Sequence, residues 1–184
     1  HENAPWKGEQ HLRESWCLVK MSMKLRDLIR AVRACKTAAE ERAVISKECA
    51  LIRTAIKEED EKFRSRNVAK LMYIHMLGYP THFGQMECLR LISAQSFPEK
   101  RVGYLALTLL LTESTEVLML VTNSLKIDLS NRNQYIQALS LVAISNLATQ
   151  DMARDLVGDV EKILHGTNSY LKKKAALATT RLLK

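Results

Sequence analysis

Apolar residues recur along this chain with the spacing of helices, not strands. From Met23 onward Leu25, Leu28, Ile29 and Val32 fall at i, i+3, i+4 and i+7, which puts them on one helical face. Arg26, Arg30 and Arg33 lie largely off that stripe. A second helix is predicted after Thr37, with Ile45, Cys49, Ile52 and Ile56 as its buried stripe, ending in the acidic run 58–61. A third covers about Ser65 to Leu77 and is apolar nearly all round from Val68, so burial between neighbours is expected. Gly78-Tyr79-Pro80 stops it, because glycine accepts the conformation that follows a helix and proline cannot continue one. A fourth helix carries Met86, Leu89, Leu91 and Ile92.

Ser96-Phe97-Pro98-Glu99 reads as a start signal, with Ser96 as N-cap, Pro98 in the first turn and Glu99 completing a capping box. That helix runs through Leu111, and another is expected from about Thr115 to Leu129. Three more cover roughly 133–148, 150–164 and 168–183, with Gly166 before the last and Asn168 as its N-cap. Short connections make consecutive helices antiparallel neighbours. Asn133, Tyr135 and Ile136 return 35 residues later as Asn168, Tyr170 and Leu171, each time opening an apolar helix. Two-helix repeats of this length stack into solenoids. The expected fold is therefore all-α, a right-handed α-solenoid of stacked helical hairpins of HEAT or armadillo type; a compact helical bundle is the alternative. Residues 1–22 lack this period and read as an extension, leaving 23–184 as the solenoid.

Composition agrees with helices: only 6 Gly and 3 Pro interrupt 184 residues. The formal net charge of +8 favours an anionic partner without naming one. The region 104–121 is the most apolar, but Glu113 and Glu116 argue against a membrane span, and no secretory signal is read. Cys17, Cys35, Cys49 and Cys88 fit no zinc spacing; the last three are expected to be small buried hydrophobes in a reducing, cytosolic setting.

Catalytic chemistry finds no support. There is no GxGxxG, Walker, HExxH or GxSxG motif. His75, His82 and Cys88 lack a carboxylate at ligand spacing, so His75 is expected as a packed core histidine and His82 as a loop residue. The acidic run 58–61 lacks the alternating oxygens and glycine of a calcium loop and reads as a solvated helix end. The expectation is a binding protein, not an enzyme, with no cofactor and no metal.

Basic residues are the remaining candidates. They gather at 20–36, at 62–70 without an acid, and at Lys172-Lys173-Lys174. Arg64 and Arg66 stand at a helix start, where free N–H groups and the helix dipole favour an anion. Nucleic acid is not expected, because the basic positions lie at separate helix ends with few aromatics to stack bases.

Several blocks resemble the large chains of clathrin adaptor complexes, the adaptins: Met23-Lys-Leu-Arg-Asp-Leu-Ile-Arg, Ala39-Glu-Glu-Arg, Lys47-Glu-Cys-Ala, Arg66-Asn-Val-Ala-Lys, His75-Met-Leu-Gly-Tyr-Pro, His82-Phe-Gly-Gln-Met-Glu-Cys-Leu, Lys100-Arg-Val-Gly-Tyr-Leu and Asn168-Ser-Tyr-Leu-Lys-Lys-Lys-Ala-Ala-Leu. The likeness covers about 23–184 and is to the γ type. It implies an α-solenoid trunk, of which this chain would be the N-terminal part. It implies a cytosolic coat protein, peripheral on trans-Golgi and endosomal membranes and on clathrin-coated vesicles. The implied partners are a β-adaptin, a medium (μ) chain, a small (σ) chain, an Arf-type GTPase and a phosphoinositide membrane. In the α-type chain a lysine run opening the third helix reads the lipid with an arginine of the first helix. Those positions fall here at Arg33, Arg64, Arg66 and Lys70, with Ser65 and Asn67 interrupting the run. Four such residues contribute roughly 4 kcal/mol near an anionic membrane, a Kd of about 1 mM. Recruitment would need several weak contacts together. The alternative is a generic solenoid binding a peptide or protein partner; a karyopherin-like Trp and Asn ladder is not expected, since both Trp residues precede the first helix.

Overall fold

The computed structural model describes residues 23–59, 61–111 and 117–183, with no side chains described at 117–119. Within these residues nine α-helices form: α1 Leu25–Ala34, α2 Ala38–Lys57, α3 Arg64–Met76, α4 Gln85–Ser93, α5 Phe97–Leu110, α6 Val117–Leu129, α7 Gln134–Leu147, α8 Gln150–His165 and α9 Ser169–Leu182, with a 3-10 turn at His82–Gly84. The chain divides into two compact units, residues 1–60 and 61–184. Thr115, the expected start of α6, lies outside the described residues, as do Cys17 and the expected extension 1–22.

In the first unit α1 packs against α2. Leu28 and Val32 of α1 and Ile45, Cys49 and Ile52 of α2 are buried, the stripes that the sequence period marks. Thr37 caps α2 by accepting from the Glu40 amide, which satisfies one of the four N–H groups a helix start leaves open. Past Lys57 the acidic residues Glu58, Glu59 and Glu61 are exposed, as a solvated helix end requires.

In the second unit two rows of helices stack. The odd row packs α3 on α5, α5 on α7 and α7 on α9; the even row packs α4 on α6 and α6 on α8. Neighbouring hairpins thus contact layer by layer, which is the two-layer arrangement of an α-solenoid. One core runs through it from Ile92 to Ala178.

Small residues recur at matched positions of α5, α7 and α9. Gly103, Ser140 and Ala175 hold one position, and Ala106, Ala143 and Ala178 another; all six are buried. A Cβ on Gly103 would lie 2.9 Å from the backbone nitrogen of Ile92 and from Leu91 Cβ, so α5 meets α4 backbone to backbone.

Helix ends in the core are also answered across the stack. The last carbonyls of a helix have no partner inside it. Gln137 donates to the Leu129 carbonyl ending α6 (2.9 Å), Gln85 to the Leu110 carbonyl ending α5 (3.2 Å) and Arg181 to the Ala148 carbonyl after α7 (3.2 Å). Lys100, at the position of α5 that Gln137 holds in α7, donates to the Ile92 carbonyl of α4. It also donates to both carboxylate oxygens of Asp128 on α6 at 2.9 Å, and Tyr104 donates to the same carboxylate at 2.7 Å.

The repeat echo holds. Asn133 accepts from the Tyr135 amide, and Asn168 from the Tyr170 and Leu171 amides. Gly78 takes φ +91°, and Tyr79 donates to the Ile74 carbonyl, completing the expected stop of α3. Three expectations are corrected. Ser96 stands at the start of α5 but its side chain makes no capping bond; Pro98 has no N–H to offer at the second position. His75 is not a core residue: it is exposed with Met76 at the end of α3, and His75 Nδ1 pairs with Thr81 Oγ1 at 3.1 Å. Cys35 is only half-buried and donates from Sγ to the Ala31 carbonyl, while Cys49 and Cys88 are buried as expected.

Candidate basic contact site

The four expected anion-binding residues divide between the units. Arg33 belongs to the first, where it is exposed in the last turn of α1. Arg64, Arg66 and Lys70 belong to α3 of the second.

Their surroundings differ. The Arg64 guanidinium pairs with Glu87 on α4 at 3.0 Å and with Glu61 at 3.6 Å; its side chain is only 15% exposed. Glu87 is itself buried and also pairs with Arg90 at 3.3 Å. Most of the Arg64 charge is therefore spent inside the protein, where it ties α3 to α4. Lys70 is fully buried, at 0% exposure. It shares the stripe Asn67, Lys70, Leu71 and Ile74, all buried at i, i+3, i+4 and i+7.

Arg66 is partly exposed and, unlike Arg64, has no carboxylate paired with it among the described residues. Its guanidinium carbon lies 4.1 Å from the centre of the Phe63 ring, and Lys62 Nζ lies 5.5 Å from the same centre. Cations over an aromatic face are held electrostatically without being neutralised. Arg66 Nε is buried without a hydrogen-bond partner. Phe63 is the site residue that the run of charges does not show, and Lys62 of the 62–70 run stands with Arg66 over its ring. The signal was present: an aromatic directly before a helix start, with basic residues at i−1 and i+3.

No cluster of three metal-ligating residues occurs among the described residues, and no described helix is long and apolar enough to cross a membrane. The buried thiols are poor nucleophiles. Burial pushes Cys49 up, and it pushes Cys88 up to about 12.

A family described as the adaptin N-terminal region matches residues 41–184. Among curated proteins, the AP-1 complex subunit gamma-1 of Arabidopsis thaliana is 62% identical over 161 residues, covering 88% of this chain and 18% of that protein. The AP-1 complex subunit gamma of Dictyostelium discoideum is 59% identical over 164 residues, covering 89% and 18%. The AP-1 complex subunit gamma-1 of Saccharomyces cerevisiae is 43% identical over 166 residues, covering 89% and 20%. The chain spans about a fifth of the length of these relatives. In structure it is similar to a chain of a homology model of the full-length AP-3 complex in an intermediate open conformation, with TM-score 0.59 and 31% identity, covering 66% of this chain and 22% of that one.

Proposed function

Because the chain belongs to the adaptin N-terminal family, we propose that it is a scaffold segment of a γ-type large chain in a clathrin-associated adaptor complex. It works in vesicle-mediated protein transport at Golgi and endosomal membranes, as a binding surface and not as a catalyst. The observation that carries this reading is the 62% identity to an AP-1 gamma subunit across 88% of the chain. The two-layer stack supports it physically: solenoids offer extended rows of helix faces to partners. The partners are a β-adaptin, a medium and a small adaptor chain, and an Arf-type GTPase.

The membrane contact in this reading is weak and phosphoinositide-directed. Arg66 with Lys62 carries it in the second unit, and Arg33 is a separate contact of the first. Arg64 contributes mainly by holding α3 on α4, and buried Lys70 belongs to the helix interior. Each exposed cation near an anionic membrane contributes about 1 kcal/mol, so membrane residence depends on the assembled complex.

Co-expression with β, medium and small adaptor chains tests the scaffold reading: the chain should co-purify with at least the small chain. Failure to associate with any of them removes it. On phosphoinositide liposomes, Arg33→Glu with Arg66→Glu should lower sedimentation, and equal sedimentation removes the lipid contact alone.

A further inference from the structure

The pairing of an aromatic ring with a cation, seen at Phe63 and Arg66, recurs along one edge of the second unit. Phe97 opens α5 and Arg101 follows one turn later; Tyr170 opens α9 and Lys173 follows one turn later. Phe63 to Arg66 and Tyr170 to Lys173 are i and i+3, and Phe97 to Arg101 is i and i+4, the spacings that put two side chains on one helical face. Tyr135 opens α7 with its cation on the other side, Arg132 at i−3.

These helix starts lie side by side. The Phe97 and Tyr135 rings stand 6.3 Å apart edge to face, Tyr135 and Tyr170 are 6.2 Å apart, and Asn168 donates to Gln134 at 2.7 Å. Arg64 in the first turn of α3 and Glu99 in the first turn of α5 line one cleft. Tyr135 and Tyr170 are 55% and 41% exposed, and Arg101, Arg132 and Lys173 are exposed with them. Four helices at 8–10 Å spacing make the edge roughly 25–30 Å long.

Charge and order select the occupant. Glu99 is the single acid in the sequences of α3, α5, α7 and α9. Of the acids nearby, Glu61 pairs with Arg64 and Glu161 lies 4.0 Å from His165. A protein partner is met by an apolar core from which charges are depleted, whereas here each ring has a cation three or four residues away. A bilayer surface presents the matching order. Tyrosine settles at headgroup level because its body is apolar and its tip polar. Lysine and arginine about 5 Å behind, one turn along the helix, meet the negative surface potential of anionic lipid.

We infer that the edge formed by the starts of α3, α5, α7 and α9 rests on an anionic lipid surface, with Tyr135 and Tyr170 among the headgroups and Arg101, Arg132 and Lys173 against their phosphates. This rests on the membrane contact proposed at Arg66 and Lys62 and extends it along the stack. A row of exposed rings and cations reads surface charge, not the identity of one headgroup.

Sedimentation of the chain at millimolar lipid measures it on vesicles of phosphatidylcholine, and on the same vesicles carrying phosphatidylserine or a phosphoinositide, these two matched in negative charge. The wild type should pellet with both anionic vesicles and not with phosphatidylcholine alone. Tyr135→Ser with Tyr170→Ser, and Arg101→Gln with Arg132→Gln and Lys173→Gln, should each lower the partition coefficient at least about fivefold, the loss expected for one charge near the surface. The altered positions are exposed, so circular dichroism should show both variants helical. Independently, a photo-crosslinking residue at 135 should capture lipid, and one at Val157 on α8 should not.

If either variant pellets as the wild type does while Arg33→Glu with Arg66→Glu fails to, the edge falls and the Arg66 contact stands. Lipid captured at 157 and not at 135 has the same meaning. A wild type that binds no anionic vesicle defeats both. Pelleting with phosphoinositide but not with phosphatidylserine overturns the reading of charge and with it the inference. Capture of a co-expressed adaptor chain at 135 in place of lipid makes the edge a protein interface, which overturns the inference and leaves the scaffold reading standing.

Discussion

Replacing Asp128 with leucine tests what the buried polar cluster does for the stack. Asp128 is 2% exposed and Lys100 9%, so neither charge has water to fall back on. The carboxylate receives the Lys100 ammonium on both oxygens and the Tyr104 hydroxyl on one. Lys100 also caps the Ile92 carbonyl, where a cation suits the negative end of α4. Three helices are therefore tied through this pair: α6 by the carboxylate, α5 by Lys100 and Tyr104, and α4 by the Ile92 carbonyl that Lys100 also reaches. Removing it strands an ammonium in the interior, and breaking a buried pair in this way costs about 3–5 kcal/mol. For a chain of this length, that corresponds to a fall of roughly 6–20 °C in thermal midpoint.

The same argument makes a second, opposite prediction. A buried pair gains little over apolar residues of similar volume, because both charges must be desolvated. The triple variant Lys100→Met, Tyr104→Phe, Asp128→Leu removes every charge and the hydroxyl, leaving only the Ile92 carbonyl without its cap. An unmet carbonyl costs about 1–3 kcal/mol, so the triple variant should be more stable than Asp128→Leu alone. Equilibrium urea unfolding followed by circular dichroism measures each variant. If the triple variant loses as much as the single changes added together, the three groups act independently and the reasoning is refuted.

Two other outcomes follow from the packing. In a Cys17→Ser background, Cys35 should react with a maleimide in the folded protein while Cys88 waits for unfolding. Burial that lifts Cys88 to about 12 from 9.0 leaves roughly a thousandfold less thiolate near neutral pH. The sign for stability is that this contribution is intact below pH 9 and lost as pH rises toward 12; labelling of Cys88 as fast as Cys35 at pH 7.5 would contradict the burial. Gly103→Ala should lower stability by about 1–2 kcal/mol despite alanine's better helix propensity, because overpacking against α4 exceeds that gain. A rise in the urea midpoint would show that α5 can move off α4 at little cost.

The helices were legible because their signals are local. A 3.6-residue apolar period, a Thr or Asn before it and a Gly after it lie within one stretch of chain, and Thr37, Asn133, Asn168 and Gly78 act as such residues do. What holds one hairpin on the next was not local. The small buried residues fall one per repeat, Gly103, Ser140 and Ala175, separated by 37 and then 35 residues, and Gly103 is where α5 comes closest to the α4 backbone. The capping donors Lys100 and Gln137 share a position but not a chemistry. A shifting spacing and a changing residue type hide such a column in a single chain. Only the matched exposure of all three helices lines it up.

The basic site was half legible, and the reason is helical geometry. Arg64, Arg66 and Lys70 look like one cluster when read as a run of charges. On a helix they diverge: residues 64 and 66 stand about 200° apart, and Lys70 follows Asn67 at i+3 with Leu71 and Ile74 on its own face. The apolar stripe of α3 therefore takes Lys70 inward, and the neighbouring α4 supplies Glu87 for Arg64. Arg66 alone projects where Phe63 can carry it. A charge count assigns all three to a ligand; the helical period leaves one, with Lys62 beside it, and so places the weight of any membrane contact on the surrounding assembly.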